Sequence, residues 1–479
     1  MDTMTPPDTP ACPHQAAARD AAPPAPLHPP GSWPPGPPAG ITGWGLLRSM
    51  SRDLLGTLDD WRRRYGDLVH LRIWPEHQVV LTDPALVRAL LVTRHDSLVR
   101  WERGISVMAQ LHGTSVLTAE GPLWRARRQA LQPGFAPKPV QSFVPAIAAA
   151  AHTALARWRV DGARFPVESA FTSLGMDVIL RMLFSSDIDA DARLAEHAVH
   201  TVSVAANKEM YWPASWPDAM PWKRSKRAAM ALLRVLIERH VAARLASARA
   251  DWPDDLLTRL LTLHQAQPAD WSLRAVRDEC MTAFLAGHET AAATLTWWAW
   301  CMAANAQAQA AARDEVDAVL QGRQVGPQDL PALAQLTRTL QETLRLYPAA
   351  PVLLSRRARQ PITLGGWQFP ARTMFMVPLG LMQRDARWFP EPDAFRPERF
   401  ADAAPAIERG AFMPFGAGPR VCLGQHLALA EMTVIAAMFL QRFAVSAPAG
   451  MAPPEPVFNI TLRPRDPLQL VLAPVPPLA

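Results

Sequence analysis

Apolar residues recur at helical spacing over residues 46–65, then alternate with polar ones over 68–73 and 78–81. The pattern predicts a helix followed by two short strands with a turn at Pro75. Asp83-Pro84 opens a further helix, since a proline in the first turn gives up an N–H that has no helical partner there. Residues 101–117 hold no sustained period and read as a loop. Pro122 opens the next helix, on which Trp124 and Arg128 stand one turn apart on the same face. Helical patterning then runs over 144–185, 225–265 and 273–320, the last stretch long enough to cross a whole domain. Between the first two, residues 210–222 combine aromatics with three prolines. No regular helix spans such a segment, which suits either a substrate lid or a loop packed on the core. Strand signals return at 360–369, a hairpin turned at Gly365-Gly366, and at 458–462 with 468–472, a second hairpin. An amphipathic helix over 427–443 lies between these hairpins. No repeat at solenoid spacing occurs, so the expected fold is mainly α with small β-sheets at one side.

Composition narrows this picture. Hydrophobic residues make up 49 % and charged residues 19 % of 479 residues, a globular balance that permits one large domain or two fused subdomains. A formal charge of +6 is small for the length, and the arginines are dispersed along helix faces, so no nucleic-acid partner is implied. Thirteen of the first 40 residues are proline, which predicts an extended, disordered leader over 1–40. No basic region followed by an apolar core marks a secretory signal. Residues 280–304 match a membrane span in length, but His288, Glu289 and Thr290 sit near their middle. A bilayer penalises that glutamate and a protein interior can use it, so no transmembrane segment is expected. Four cysteines without paired spacing form neither a disulfide framework nor a zinc motif, which fits a reducing cytoplasm.

One of them, Cys422, lies in a glycine-rich turn that runs directly into the 427–443 helix. Unpaired backbone N–H groups and the positive end of a helix are expected to lower a thiol from its usual pKa of about 8.5. Gly416, Gly418 and Gly424 are expected to leave room for a flat cofactor. A dinucleotide loop would follow a strand and have an acidic residue about 20 positions on, and no acid lies between Glu431 and Glu455. The phosphate-loop Gly-Lys-Ser/Thr is also missing. What remains is one thiolate presented axially to a metal, with the Arg420 cation two residues away. Haem has that shape, with iron at its centre and propionates at its rim.

Phe415-x-x-Gly418-x-Arg420-x-Cys422-x-Gly424 resembles the haem-binding motif of the cytochrome P450 monooxygenases, the resemblance extending over about residues 34–467. It implies a single triangular helical domain with a β region over 41–479. Cys422 is then the axial ligand of a haem b iron, with Phe415, Gly416, Arg420 and Gly424 lining the cofactor. Glu342-Thr343-Leu344-Arg345 resembles the family's Glu-x-x-Arg pair, and Arg399 in Phe-Arg-Pro-Glu-Arg-Phe its third, structural member. Ala286-Gly287-His288-Glu289-Thr290 resembles the oxygen-activation motif. A gap at Gly287 would admit dioxygen, Thr290 would hydrogen-bond the distal oxygen, and Glu289 would relay protons. Trp124 and Arg128 resemble the element that meets one propionate, and Arg356 or Arg357 is expected at the other. Candidate pocket residues by position are Trp101, Met108, Phe284, Leu285, Val352, Leu353 and Phe458.

The implied activity is insertion of one oxygen atom from dioxygen, the co-substrate, into an apolar small molecule such as a fatty acid, terpenoid or polyketide. Arg420 and the Phe-Arg-Pro-Glu-Arg-Phe segment look more like the microsomal and fatty-acid-hydroxylating branches. With no fused reductase module, a ferredoxin or flavodoxin with its reductase is the expected electron source. It would dock on a basic face including some of Arg125, Arg127 and Arg420, and the protein is expected to be a cytoplasmic monomer. Two other readings keep the haem thiolate: a sensor or binding protein without turnover, and a peroxygenase or isomerase. The acid and alcohol at 289–290 weigh against both.

Overall fold

The computed structural model describes residues 27–29, 31–158, 160–185, 189–211 and 220–476. Its axis is the helix Leu273–Ala304, 32 residues or about 48 Å at 1.5 Å per residue. Ser272 caps this helix by accepting from the Ala275 N–H. The second half is enclosed on every side: Trp297 and Trp298 have no exposed surface. Around them pack the helices Val144–Arg157, Val167–Phe184 and Gln425–Arg442 in one hydrophobic core. Each buried indole keeps a hydrogen bond, Trp297 Nε1 to Leu462 O and Trp298 Nε1 to Thr339 Oγ1, both 2.9 Å, as burial of an N–H requires. Among the described residues no helix is long and apolar enough to cross a membrane.

To one side lies a five-stranded sheet in the order Leu68–Ile73, Glu76–Leu81, Met374–Met376, Arg356–Ala358, Leu98–Arg100. Only the pairing of Glu76–Leu81 with Met374–Met376 is parallel. The hairpin Ile362–Leu364/Trp367–Phe369 turns on Gly365 and Gly366, both at positive φ.

Several elements differ from the sequence expectation for identifiable reasons. The 46–65 helix is two, Trp44–Arg52 and Leu54–Tyr65, because Asp53 turns its carboxylate onto the Gly56 N–H and starts a new helix. Residues 101–117 are not all loop: Glu102–His112 is a helix packed on the central one, so tertiary contact supplies what weak periodicity does not. The 225–265 stretch divides into Arg224–Ala246 and Leu256–Ala266, with Asp255 capping the second. The 273–320 stretch divides at Asn305. The last expected hairpin is re-paired. Pro456–Asn459 joins Thr461–Pro464, while Leu470–Pro474 joins Phe443–Ser446 and Arg164–Phe165. The leader ends earlier than residue 40. Leu27 N–H bonds Gly366 O at 2.8 Å, His28 stacks on Trp367 at 3.6 Å, and Trp33 stacks on His70 and His77. Aromatic stacking offsets the extended bias of the prolines; residues 1–26 lie outside the described residues, as do 212–219 of the proposed lid.

Candidate active site

The loop before Gln425–Arg442 closes on itself through the Cys422 N–H and Phe415 O at 2.9 Å. Gly416 and Gly418 sit at φ 77° and 73°. A Cβ on Gly418 would lie 2.1 Å from Leu91 O, so this glycine admits a neighbouring backbone and not the cofactor, contrary to expectation. Gly424 has nothing within 4 Å of where a Cβ would stand. Cys422 is exposed, yet its pKa is raised, against the lowering expected from the helix end. The side chain reaches the surface, but the protein packed around the sulfur disfavours the thiolate and dominates, while the Gly424 N–H and Arg128 pull the other way. The other described cysteines, Cys280 and Cys301, are fully buried.

The central helix packs on the helix that follows Cys422. Along its middle, Ala286 is exposed although Leu285 and His288 are buried. Thr290, four residues and about 40° further round, is half-buried, and its Oγ1 donates to Ala286 O at 2.9 Å. Gly287 points elsewhere: a Cβ there would meet Ile179 Cδ1 at 2.8 Å. Its missing side chain lets two helices approach, and the small residue on the open face is Ala286. Glu289 accepts from Ser203 Oγ at 3.2 Å and from Thr461 Oγ1 and Arg463 Nη2, both 3.4 Å. His288 is buried, which lowers its pKa, with Nδ1 3.1 Å from Phe284 O.

Glu342 and Arg345 are one turn apart on the helix Ala334–Leu346 and neither has exposed surface. Arg345 donates to both Glu342 oxygens at 2.7 and 2.8 Å and to the carbonyls of Gln383, Pro392 and Ala394. Arg399 Nε reaches Glu342 Oε1 at 3.2 Å, and the Arg396 N–H reaches the same oxygen at 2.8 Å. The acid is thereby held by two guanidiniums and an amide.

Four further arginines converge near the thiol loop. Arg128 donates to Val421 O at 2.8 Å. Arg420 stacks 3.8 Å over Trp124 and donates to Glu120 Oε2 at 2.6 Å. Arg100 donates to Glu120 Oε1 at 2.6 Å and to the carbonyl of Leu117. Arg356 donates to Leu354 O. Burial, reinforced by Arg100, lowers Arg356 to about 10 and Arg420 to about 9. Arg357 is committed elsewhere, to Glu76 and Glu102, so Arg356 is the member of the pair beside this cluster. Sequence reasoning missed Arg100 and Glu120, whose convergence depends on contacts between distant segments. The sequence signal available was the Glu120-Gly-Pro start of the Trp124 helix, with the acid one residue before a helix N-terminus.

Two expectations are narrowed here. Arg127 is buried, its guanidinium 4.2 Å over Trp271, and Arg420 turns inward. Of the three docking arginines only Arg125 is exposed, loosely paired with Asp96 at 3.3 Å. Phe284 stands off the face of Ala286. At about 100° per residue it stands about 160° from Ala286, and it is buried with Leu180, Phe184 and Ile237; Leu285 is in the same cluster. Leu353, in contrast, lies 3.7 Å from the Gly416 Cβ position. Trp101 and Met108 are half-buried at the Glu102–His112 helix, and Val352 and Phe458 are also half-buried.

The cytochrome P450 family model matches residues 34–472. The chain belongs to the cytochrome P450 family. Among its relatives, the cyclooctat-9-en-7-ol 5-monooxygenase of Streptomyces melanosporofaciens is 32 % identical over 83 % of this chain and 88 % of its own. Cyclooctatin synthase of the same organism is 30 % identical over 86 % and 88 %. The carotene epsilon-monooxygenase of Arabidopsis thaliana, named chloroplastic, is 29 % identical over 82 % and 78 %. This P450 is therefore an oxygen-inserting monooxygenase that uses thiolate-ligated haem and dioxygen. The residues present fit that group: an exposed thiol, a small-residue helix face, and four buried or half-buried guanidiniums whose one carboxylate partner among the described residues is Glu120. Two propionates would offset that surplus of positive charge.

Proposed function

We propose that this P450 oxidises a large apolar, terpenoid-like substrate, with electrons delivered one at a time by a separate ferredoxin or flavodoxin and its reductase. The observation that carries the catalytic reading is Thr290, whose hydroxyl stands beside Ala286 on the open face of an otherwise buried helix. Haem held by the Cys422 thiolate supplies dioxygen binding and oxygen transfer. Arg128, Arg356 and Arg420 would hold its propionates, with Trp124 stacked under the Arg420 guanidinium. Thr290 would present its hydroxyl on the open face beside Ala286, where it could hand on a proton. Glu289 recruits that proton from the side of the Thr461–Pro464 strand, where Ser203, Thr461 and Arg463 fix its carboxylate. Leu353, Trp101, Met108, Val352 and Phe458 shape the apolar wall and exclude water, so substrate choice rests on contacts worth about 1–3 kcal/mol per methylene. The relatives named for a cyclooctatenol and a carotene support a terpenoid over a fatty acid or polyketide.

Thr290→Ala tests the proton route. The variant is expected to consume reductant at a rate near that of the parent while product per reductant falls at least ten-fold and peroxide accumulates, the scale of one lost proton-transfer group. Unchanged product yield would remove Thr290 from the mechanism.

A further inference from the structure

We infer that Glu120 is a positioning residue that sets the net charge around the haem propionates, and through it the ease with which the iron accepts an electron. The inference rests on the reading above that Arg420 and its neighbours hold the propionates.

Glu120 uses each oxygen once. Oε1 takes Arg100 Nε at 2.6 Å and Oε2 takes Arg420 Nη2 at 2.6 Å. The preceding carbonyl, Ala119 O, takes a second N–H from each guanidinium, Arg100 Nη2 at 2.6 Å and Arg420 Nη1 at 3.0 Å. Two arginines more than 300 positions apart in sequence are thus aligned by one dipeptide, and every guanidinium hydrogen bond they make among the described residues falls on one short stretch of chain, 117–120. That stretch is itself pinned to the central helix. Asp278 accepts from the Thr114 N–H at 3.0 Å and Glu279 from the Val116 N–H at 2.9 Å. The dipeptide therefore sits at a fixed place between the oxygen-site helix and the thiol loop.

The charge balance gives this clamp a consequence. Burial disfavours the positive charge of Arg100, Arg356 and Arg420 alike, Arg100 adds to this for the other two, and Glu120 is the one anion that opposes it for each of them. Counting Arg128, four cations face one carboxylate, and two propionates would leave about one net positive charge. Removing the Glu120 charge adds another. Adding one electron to the iron makes the site more negative, so extra positive charge held in a poorly hydrated region favours the reduced form.

The experiment is a spectroelectrochemical titration of the haem-loaded enzyme with Glu120→Gln, Glu120→Asp and Arg420→Gln. Glu120→Gln is expected to raise the reduced-to-oxidised ratio at a fixed poise about ten-fold, equivalent to 59 mV for one electron. Glu120→Asp keeps the charge but is a methylene too short to reach both arginines. It is expected to stay within two-fold of the parent while haem dissociates faster. Arg420→Gln is expected to lower the ratio. A Gln variant that shifts less than two-fold while Arg420→Gln shifts fully overturns the role of Glu120 and spares the propionate reading. An Asp variant that loads haem and shifts as far as Gln also overturns it, because charge would not be the cause. If Arg420→Gln changes neither the ratio nor haem dissociation, the propionate reading itself fails.

Discussion

Glu342→Ala strips four hydrogen bonds from a carboxylate with no exposed surface: two from Arg345 at 2.7 and 2.8 Å, one from the Arg396 N–H at 2.8 Å and one from Arg399 at 3.2 Å. The remaining Arg345 guanidinium is also fully buried and keeps hydrogen bonds to carbonyls alone among the described residues, with the Phe389 ring 5.1 Å away. Breaking a buried pair in this one-sided way costs about 3–5 kcal/mol. Arg399 is more peripheral, 9 % exposed with a single longer bond to the acid, so Arg399→Ala costs about 1.5–3 kcal/mol, the range for one hydrogen bond to a charged group. Urea unfolding followed by tryptophan fluorescence measures both. With a slope of about 3 kcal/mol per molar or more, Glu342→Ala lowers the midpoint by about 1 M and Arg399→Ala by about half of that. Haem should be lost on the same transition, since the network tethers the 391–399 segment that precedes the thiol loop. A loss below about 1 kcal/mol for Glu342→Ala would refute the view that this acid is the centre of a buried charge network.

Phe284→Ala should destabilise the fold by about 3–5 kcal/mol, as for other buried aromatic truncations, while leaving the substrate-induced spectral change of the folded enzyme intact; a lost spectral response with normal stability would return Phe284 to the pocket. Glu431 is buried with Oε1 lacking a partner, and burial raises its pKa from 4.5 to about 8. The folded state then binds a proton that the unfolded state releases above pH 4.5, so stability falls as pH rises from about 5 to 8, by up to about 1.4 kcal/mol per unit. Glu279, also raised to about 8 by burial and partly opposed by Arg127, contributes in the same direction. Glu431→Gln should flatten this slope in thermal melts at pH 5 and pH 8, and an unchanged slope would show that its carboxyl stays hydrated.

What was legible in the sequence and what was not divides along contact range. Cys422, Glu342, Arg345 and Thr290 carry short-range motifs, one residue or one helical turn wide, and the structure places them in helices or loops of the expected kind. Side-chain direction was harder. An apolar run such as 280–304 has almost no polar stripe to set its phase, so Phe284 and Gly287 were assigned to a face that Ala286 and Thr290 occupy. Contacts between distant segments were not legible at all: Glu120 with Arg100 and Arg420, Arg127 with Trp271, and the pairing of Leu470–Pro474 with Phe443–Ser446. Each depends on the packed core bringing segments together, and no local propensity encodes it.

The central claim is that Cys422 is the thiolate ligand of a haem, and the most direct measurement is the absorption spectrum of the reduced protein under carbon monoxide. The account predicts a strongly red-shifted Soret band for the parent chain and its absence in Cys422→Ala prepared with the same haem loading. A Cys422→Ala protein that keeps the red-shifted band would contradict it.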